Sequence, residues 1–292
     1  MRDEIMPMRR FGAEGLVRGA ILVIIAIGAA LMLSRSALHL NLSRWLDDTQ
    51  HRLLGPVLDM RDVVVVDIDE ESIEVLKPAH GAWPYSRDLY ARLIHDLSAR
   101  GAKTIAFDIL LAEARPGDAE FVAALNENVV LAAAAFPRPP LRSDSYMAQI
   151  DAAALNDAID ARSSLNRVPA VDWPDVTLPV ASFTEQGKAR VGIISVHPDD
   201  DGTVRRMPLF HAVHGRLLAS FPLASWISPD ALRQAVFVDS SLRLAGRHFA
   251  VDEKGQIGLR FPTRTENLVV VPFHQLVAGE PFMAGRIDWG AS

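Results

Sequence analysis

The sequence predicts an α/β protein in which an N-terminal transmembrane helix precedes a mainly parallel α/β sheet domain with an antiparallel hairpin addition. Three observations predict this class. A long apolar run begins at Gly15 and has about the length that the hydrocarbon core requires. Strand-like and helix-like segments then alternate between residues 63 and 134, which is typical of right-handed crossovers and a parallel sheet. A two-stranded pattern around an Asp-Gly turn follows over residues 190–213.

Composition limits the classes of function. The chain has 292 residues, of which 49% are hydrophobic and 23% are charged, so a globular core is possible. The formal net charge of -6 argues against a nucleic-acid partner, because a phosphate-binding surface needs an excess of basic residues. The chain has no cysteine, which excludes disulfides, cysteine nucleophiles and metal sites built from cysteine.

The first element is the apolar run, which we interpret as a transmembrane helix over residues 15–34 in contact with lipid. More arginines lie before or at the start of the run than closely after it: Arg2, Arg9, Arg10 and Arg18 against Arg35 and Arg44. This asymmetry predicts that residues 1–14 are cytoplasmic and that the body of the chain lies outside the membrane. A cleaved signal peptide and a buried core helix are the two alternatives.

The next segment, residues 35–58, predicts an amphipathic connecting helix. Its apolar residues fall near helical spacing, and its acidic residues lie on the other side. Gly55-Pro56 ends the helix. We expect it to pack on the domain or on a second copy of the chain.

The body of the chain begins with the strand–helix alternation. The predicted elements are a strand over residues 63–67 covered on both faces, a helix after Ser86 that stops at Gly101, a strand over 104–111, a helix from Asp118 to Leu125, and a strand over 129–134. Residues 136–180 are predicted to be irregular around one helix, because proline recurs there. The predicted hairpin has strands over 190–196 and 203–213, and a helix over 217–228 and short strands over 237–261 follow.

Four blocks of this sequence, in this order, resemble a known family. They are VVVVDIDEESIEVL, GAWPYSRDLYARLIHDLSARGAKTIAFDILLAE with Asp118 opening the next helix, LPVASFTEQGKARVGIISVHPDDDGTVRRMPLF, and VPFHQLVAGEP. The family is the second type of CHASE domain, the cyclase- and histidine-kinase-associated sensory extracellular domain. The resemblance covers residues 59–292. It implies a sensory domain on the periplasmic or extracellular side of a bacterial inner membrane, followed by further membrane helices and an adenylate cyclase, diguanylate cyclase or kinase. Because the chain stops at GRIDWGAS, we expect a form truncated before those helices, without the output enzyme.

Six polar residues could form a ligand site. They are Asp67, Asp69, Arg87, Asp108, Glu113 and Asp118. Asp67, Asp69 and Asp108 are predicted near the carboxyl ends of adjacent parallel strands, where open α/β sheets bind ligands. The sequence therefore predicts a pocket for a polar ligand or cation, in which the carboxylates accept hydrogen bonds and Arg87 binds an anionic group. The alternative is that these side chains cap loops and helices and pair with Arg87.

An enzyme interpretation also fits part of the pattern. An apolar strand followed by D-x-D occurs in haloacid-dehalogenase-type phosphatases, where Asp67 would attack phosphorus and Asp69 would act as acid and base. This chemistry also needs a strand that ends in serine or threonine, a lysine in a matching sequence context and a later pair of acidic residues. The sequence lacks all three. Asp199 to Gly202 is interpreted as a turn and not as a calcium loop. His211 and His214 are expected to point apart, so we predict no metal site, and also no cofactor and no catalytic residue.

Two functions from different classes follow. The first is a signal-input module that binds an unknown extracytoplasmic ligand and acts as a homodimer or with a partner receptor. The second is a non-signalling envelope scaffold or assembly protein, whose domain only packs against other proteins.

Overall fold

The structure of the protein is a computed structural model that describes residues 13–34, 37–137, 144–154, 169–232, 235–238 and 241–279. The helices are α1 (Ala13–Ser34), α2 (Ala37–Leu54), α3 (Glu70–His80), α4 (Arg87–Ala99), α5 (Asp118–Ala124), α6 (Asp144–Ala153), α7 (Ala181–Glu185), α8 (Phe221–Trp226), α9 (Pro229–Leu232) and α10 (Phe273–Val277). The strands are β1 (Val57–Asp59), β2 (Val64–Asp67), β3 (Ile105–Leu110), β4 (Val129–Phe136), β5 (Val171–Trp173), β6 (Asp175–Thr177), β7 (Arg190–Ile193), β8 (Arg206–Pro208), β9 (Phe210–Val213), β10 (Arg216–Ala219), β11 (Val236–Val238), β12 (Ser241–Leu244), β13 (Arg247–Ala250), β14 (Gln256–Gly258), β15 (Arg264–Glu266) and β16 (Val269–Pro272).

The chain divides into two units. Unit one comprises residues 1–58 and 260–265, and unit two comprises residues 59–259 and 266–292. Unit one contains α1 and α2. Several apolar side chains of α1 are exposed, among them Val17, Leu22 and Ile24. Within the described ranges, none of the helices combines the length and the apolar character needed to span a membrane. The transmembrane helix predicted over residues 15–34 is therefore not supported.

The centre of unit two is strand β4, whose residues from Val129 to Ala135 are all buried. β4 pairs in parallel with β3 on one side, in the register Ile105 to Val129, and in parallel with β7, in the register Val130 to Arg190. A register shift interrupts the β3–β4 pairing after Phe107. A fully buried strand between parallel neighbours explains the continuous apolar run in the sequence.

The sheets of unit two are mixed, so the prediction of a mainly parallel sheet was wrong. β6 pairs antiparallel with the last residues of β4. Antiparallel pairs also join β9 to β10, β8 to β14, and β12 to both β11 and β13. Besides β3–β4–β7, parallel pairing joins β2 to β16 and β5 to β9. The short strands after residue 170 lack long crossover helices, and antiparallel partners can be connected without them.

The predicted hairpin over residues 190–213 was also wrong in its pairing. The turn itself forms, because Asp199 N donates to Thr203 O at 2.9 Å. However, β7 pairs with β4, whereas the returning segment splits into β8 and β9, which pair with β14 and β10. Val191 and Ile193 of β7 are buried in the core, and this burial outweighs a local hairpin.

Helix α3 was missing from the predicted elements. It begins at its N-cap Asp69, whose side chain accepts from Ser72 N at 2.7 Å, and it ends before Gly81, which has a φ of 77°.

β2 is covered on one face only, since Val63 and Val65 are exposed, and the prediction of two covered faces was wrong.

Three hydrophobic clusters hold unit two together. The first contains most of the aromatic core, with edge-to-face contacts from Phe121 to Phe107 (5.7 Å between ring centres) and to Phe183 (5.0 Å). The second lies around Ile150, Trp173 and Leu218, and the third lies under α8 and β11–β13. Edge-to-face aromatic pairs add about 0.5–1.5 kcal/mol each to the area that they bury.

Candidate polar site at the start of helix α4

The loop between β3 and α5 packs directly against the first turn of α4. Arg87 N donates to Pro116 O at 2.8 Å, and Ser86 Oγ lies 2.9 Å from the same oxygen. Gly117 permits this approach, because it has a φ of 85° and a Cβ there would lie 2.3 Å from Asp88 N. The contact places the loop's carbonyl and carboxylate groups beside the guanidinium of Arg87.

The Arg87 side chain is almost fully buried, with 2% of its surface exposed. Its Nη2 donates to Glu113 O at 3.3 Å, and its Nε lies 3.6 Å from Asp118 Oδ1. The guanidinium carbon lies 6.0 Å from the centre of the Tyr90 ring. Burial lowers the pKa of Arg87, and the neighbouring Tyr90 and Asp118 side chains oppose that effect. Asp118 is thus the counter-ion that makes a buried guanidinium tolerable.

Three buried polar atoms of this region have no hydrogen-bond partner among the described residues: Arg87 Nε, Tyr90 Oη and Asp118 Oδ1. Arg87, Tyr90 and Asp118, together with Glu113 and Arg115, are called the Arg87 cluster below. Arg115 completes it, because its N donates to Asp118 Oδ2 at 3.0 Å. Buried polar groups are normally satisfied by protein, water or ligand. The cluster could therefore hold a small polar group that accepts from Nε–H and donates to Oδ1.

The structure brings together only part of the predicted six-residue pocket. Arg87 and Asp118 meet, and Glu113 takes part through its backbone oxygen, while its carboxylate is 82% exposed and lies 3.7 Å from Arg115. Asp67 and Asp108 are exposed. Their strands are not hydrogen-bonded neighbours, since β2 pairs with β16 and β3 pairs with β4.

Asp69 has a local structural role at the end of β2. Hydrogen bonds from Ser72 lower the pKa of Asp69, and the nearby His274 lowers it further. Ser72 Oγ lies 3.0 Å from His274 Nδ1 and accepts from His274 N at 3.2 Å, which ties α3 to α10. Ser72 is 0% exposed, so this Ser–His pair cannot reach a substrate as a nucleophile would. Asp69 as an N-cap does not fit the acid–base role of the phosphatase interpretation.

Comparison with known proteins decides the family. A family model described as the CHASE2 domain matches residues 21–287. The chain belongs to the CHASE2 family. CHASE2 domains are sensory extracellular domains of signalling receptors and are not themselves catalytic. The resemblance predicted from the sequence is confirmed. No curated protein and no solved structure matches the chain.

Within this CHASE2 domain, sequence reasoning missed two features. Tyr90 and Arg115 belong to the Arg87 cluster, although Tyr90 was assigned only to the apolar stripe of α4. A second buried polar group joins Trp173 to His211, with Trp173 Nε1 donating to His211 Nδ1 at 3.0 Å. These two residues are 38 positions apart, and no local spacing in the sequence indicates their contact. Among the described residues of the domain, no group of three or more His, Asp or Glu is placed to hold a metal ion.

Proposed function

We propose that this chain is the extracytoplasmic sensory input module of a bacterial signal-transduction receptor. The observation that carries the proposal is the CHASE2 match across residues 21–287. In this role the domain exchanges between two arrangements that a stimulus populates differently, and the change is passed on through α1 and α2.

Attachment to the membrane through α1 is part of the proposal. Its support is the exposure of apolar side chains along this helix, from Val17 to Ile27, because such a surface is costly in water. A reporter fusion in living cells tests it. Alkaline phosphatase fused after Ser292 should be active, since that enzyme works only outside the cytoplasm. The same fusion after Arg10 should be inactive. An inactive fusion at Ser292 in a full-length product would contradict the proposal.

We place stimulus binding at the Arg87 cluster, because the buried atoms Arg87 Nε and Asp118 Oδ1 have no hydrogen-bond partner within the described part of the chain. A ligand with a primary amide or a protonated acid group has the required acceptor and donor. The test is a thermal-shift screen of the full chain in detergent against small amides and carboxylic acids. A compound that stabilises the protein should lose its effect in Arg87→Met and keep it in Arg92→Met. An equal effect on both variants would exclude the cluster as the binding site.

The output of the receptor is proposed to be a cyclase or kinase in the same membrane. Chemical crosslinking in membranes followed by mass spectrometry tests this part. The expected result is an adenylate cyclase, diguanylate cyclase or kinase crosslinked to α2. Crosslinks confined to proteins without such an output would contradict it.

One observation favours the second candidate, an envelope scaffold. β2 and β16 expose an apolar face, in which Val65 and Val270 are opposite each other and 40% and 53% exposed. Val63 and Leu268 extend this face. Replacing Val65 and Val270 by threonine keeps the strand propensity and removes apolar surface. Loss of a co-purifying envelope complex in this variant, with no ligand found for the Arg87 cluster, would favour the scaffold.

A further inference from the structure

His211 is a buried histidine that the Arg87 cluster does not include. It lies on β9 and is 0% exposed. It is the register partner of Val171 in β5 and of Leu218 in β10, and both of these residues belong to the second hydrophobic cluster. Its Nε2 is buried and has no hydrogen-bond partner among the described residues.

The hydrogen bond from Trp173 fixes the protonation state of His211. An indole Nε1–H can only donate, so His211 Nδ1 must be the acceptor and must carry no proton. The imidazole is therefore neutral, with its proton on Nε2. A second proton on Nδ1 would oppose the Trp173 N–H, and the contact of 3.0 Å could not persist between two donors.

A second histidine lies on the same indole. His197 stacks on Trp173 with a ring-centre separation of 4.2 Å and an interplanar angle of 16°. It follows β7 and begins a loop that is braced internally, because Arg205 Nη1 donates to Asp199 Oδ2 at 2.8 Å. We call His197, Trp173 and His211 the Trp173 stack.

The charges around His211 do not favour its protonation. Burial and, to a lesser extent, the charge of His197 together lower the pKa of His211 from 6.5 to about 4. Other titratable groups lie on the elements around β9. Asp172 lies on the other face of β5 from Trp173. Asp175 of β6 accepts a hydrogen bond from Val176 N through its Oδ1. Arg216 of β10 pairs with Asp151 of α6, and His214 follows β9 and is exposed.

We propose that the Trp173 stack is an acid-sensitive latch that holds the loop after β7 against β5 and β9. Protonation of His211 at Nδ1 breaks the Trp173–His211 hydrogen bond and places a positive charge beside His197. The ring of Trp173 then leaves its position, and the loop that His197 begins loses its contact with the sheet. The idea that acid is a stimulus of the receptor rests on the proposed function. The latch itself rests only on these contacts.

The test follows the indole N–H resonances of the ¹⁵N-labelled full chain in detergent during an acid titration. The chain has five tryptophans, and the Trp173→Phe variant identifies the resonance of Trp173. His211→Asn places an amide oxygen near the position of Nδ1, so it can accept from Trp173 but cannot be protonated. His214→Asn is the matched control, because it removes an exposed histidine near the end of the same strand.

The latch predicts a shift of the Trp173 resonance centred near pH 4 in the wild type and in His214→Asn, and its absence in His211→Asn. If acid unfolds the whole protein, His211→Asn should unfold at a lower pH than the wild type. An unchanged Trp173 resonance down to about pH 3.5, or the same transition in His211→Asn, would overturn the proposal. If the Trp173 resonance titrates as expected but the reporter fusion at Ser292 is inactive, the sensory role is refuted and the latch is not.

Discussion

Replacing Arg87 by methionine tests whether the buried guanidinium stabilises the start of α4. Methionine keeps the apolar stem and the helix propensity and removes the charge. Breaking a buried ion pair from one side costs about 3–5 kcal/mol. The contacts here are long, at 3.3 Å to Glu113 O and 3.6 Å to Asp118 Oδ1, and removing Arg87 also relieves the cost of its own burial. We therefore expect a loss of about 2 kcal/mol.

The same helix provides the matched control. Arg92 is paired with Asp88 at 3.2 Å, but its side chain is 60% exposed, and such pairs contribute about 0.3–0.5 kcal/mol. Urea unfolding of both methionine variants and of Asp118→Asn measures the difference. Combining Arg87→Met with Asp118→Asn should cost less than the sum of the two single changes, because one interaction is removed twice. If Arg87→Met were as stable as Arg92→Met, our account of the Arg87 cluster would be wrong.

Three further predictions concern pH and packing. Because the folded pKa of His211 is about 4 and the unfolded value is 6.5, the unfolded chain binds the proton first, and about 3 kcal/mol of stability should be lost as pH falls through that window. Unfolding at a series of pH values checks this, and His211→Asn should show a smaller loss. Gly117→Ala should lower the free energy of unfolding by about 2–4 kcal/mol, because the positive φ of residue 117 is unfavourable for alanine and the new Cβ would overlap with Asp88 N. Gly81→Ala meets open space, but the φ of 77° and ψ of -170° at this position are nearly restricted to glycine, so the change should cost about 1–3 kcal/mol. Phe121→Ala should cost about 3–5 kcal/mol by emptying the aromatic core, measured as a lower unfolding midpoint.

Local patterns in the sequence were sufficient for the elements around β4. Strands β2, β3 and β4 and helices α4 and α5 lie where apolar runs and helix stops predict them, because burial and local backbone chemistry act together there. Helix α3 was missed because its sequence is largely polar and contains Pro78. The three-residue strands β5 and β6, separated by Pro174, are too short to show a period.

Pairing between distant segments could not be predicted in the same way. β2 and β3 follow each other in the chain, which suggested adjacent strands and one shared edge for Asp67 and Asp108. In the structure β2 instead pairs with β16, about 200 residues further on. Arg87 and Asp118 do lie together in the structure, because a helix start and the next loop meet at one edge of an α/β unit. The Trp173 stack combines three separate segments, and only the tertiary fold brings them together.

Cysteine labelling in spheroplasts tests most directly on which side of the membrane the sensory domain lies. The chain has no cysteine, so Glu253→Cys, in an exposed turn of unit two, introduces a unique thiol. We predict that a membrane-impermeant maleimide labels it without permeabilisation, while Asp3→Cys is labelled only after detergent is added. Labelling of Glu253→Cys that also requires detergent would contradict an extracytoplasmic sensor.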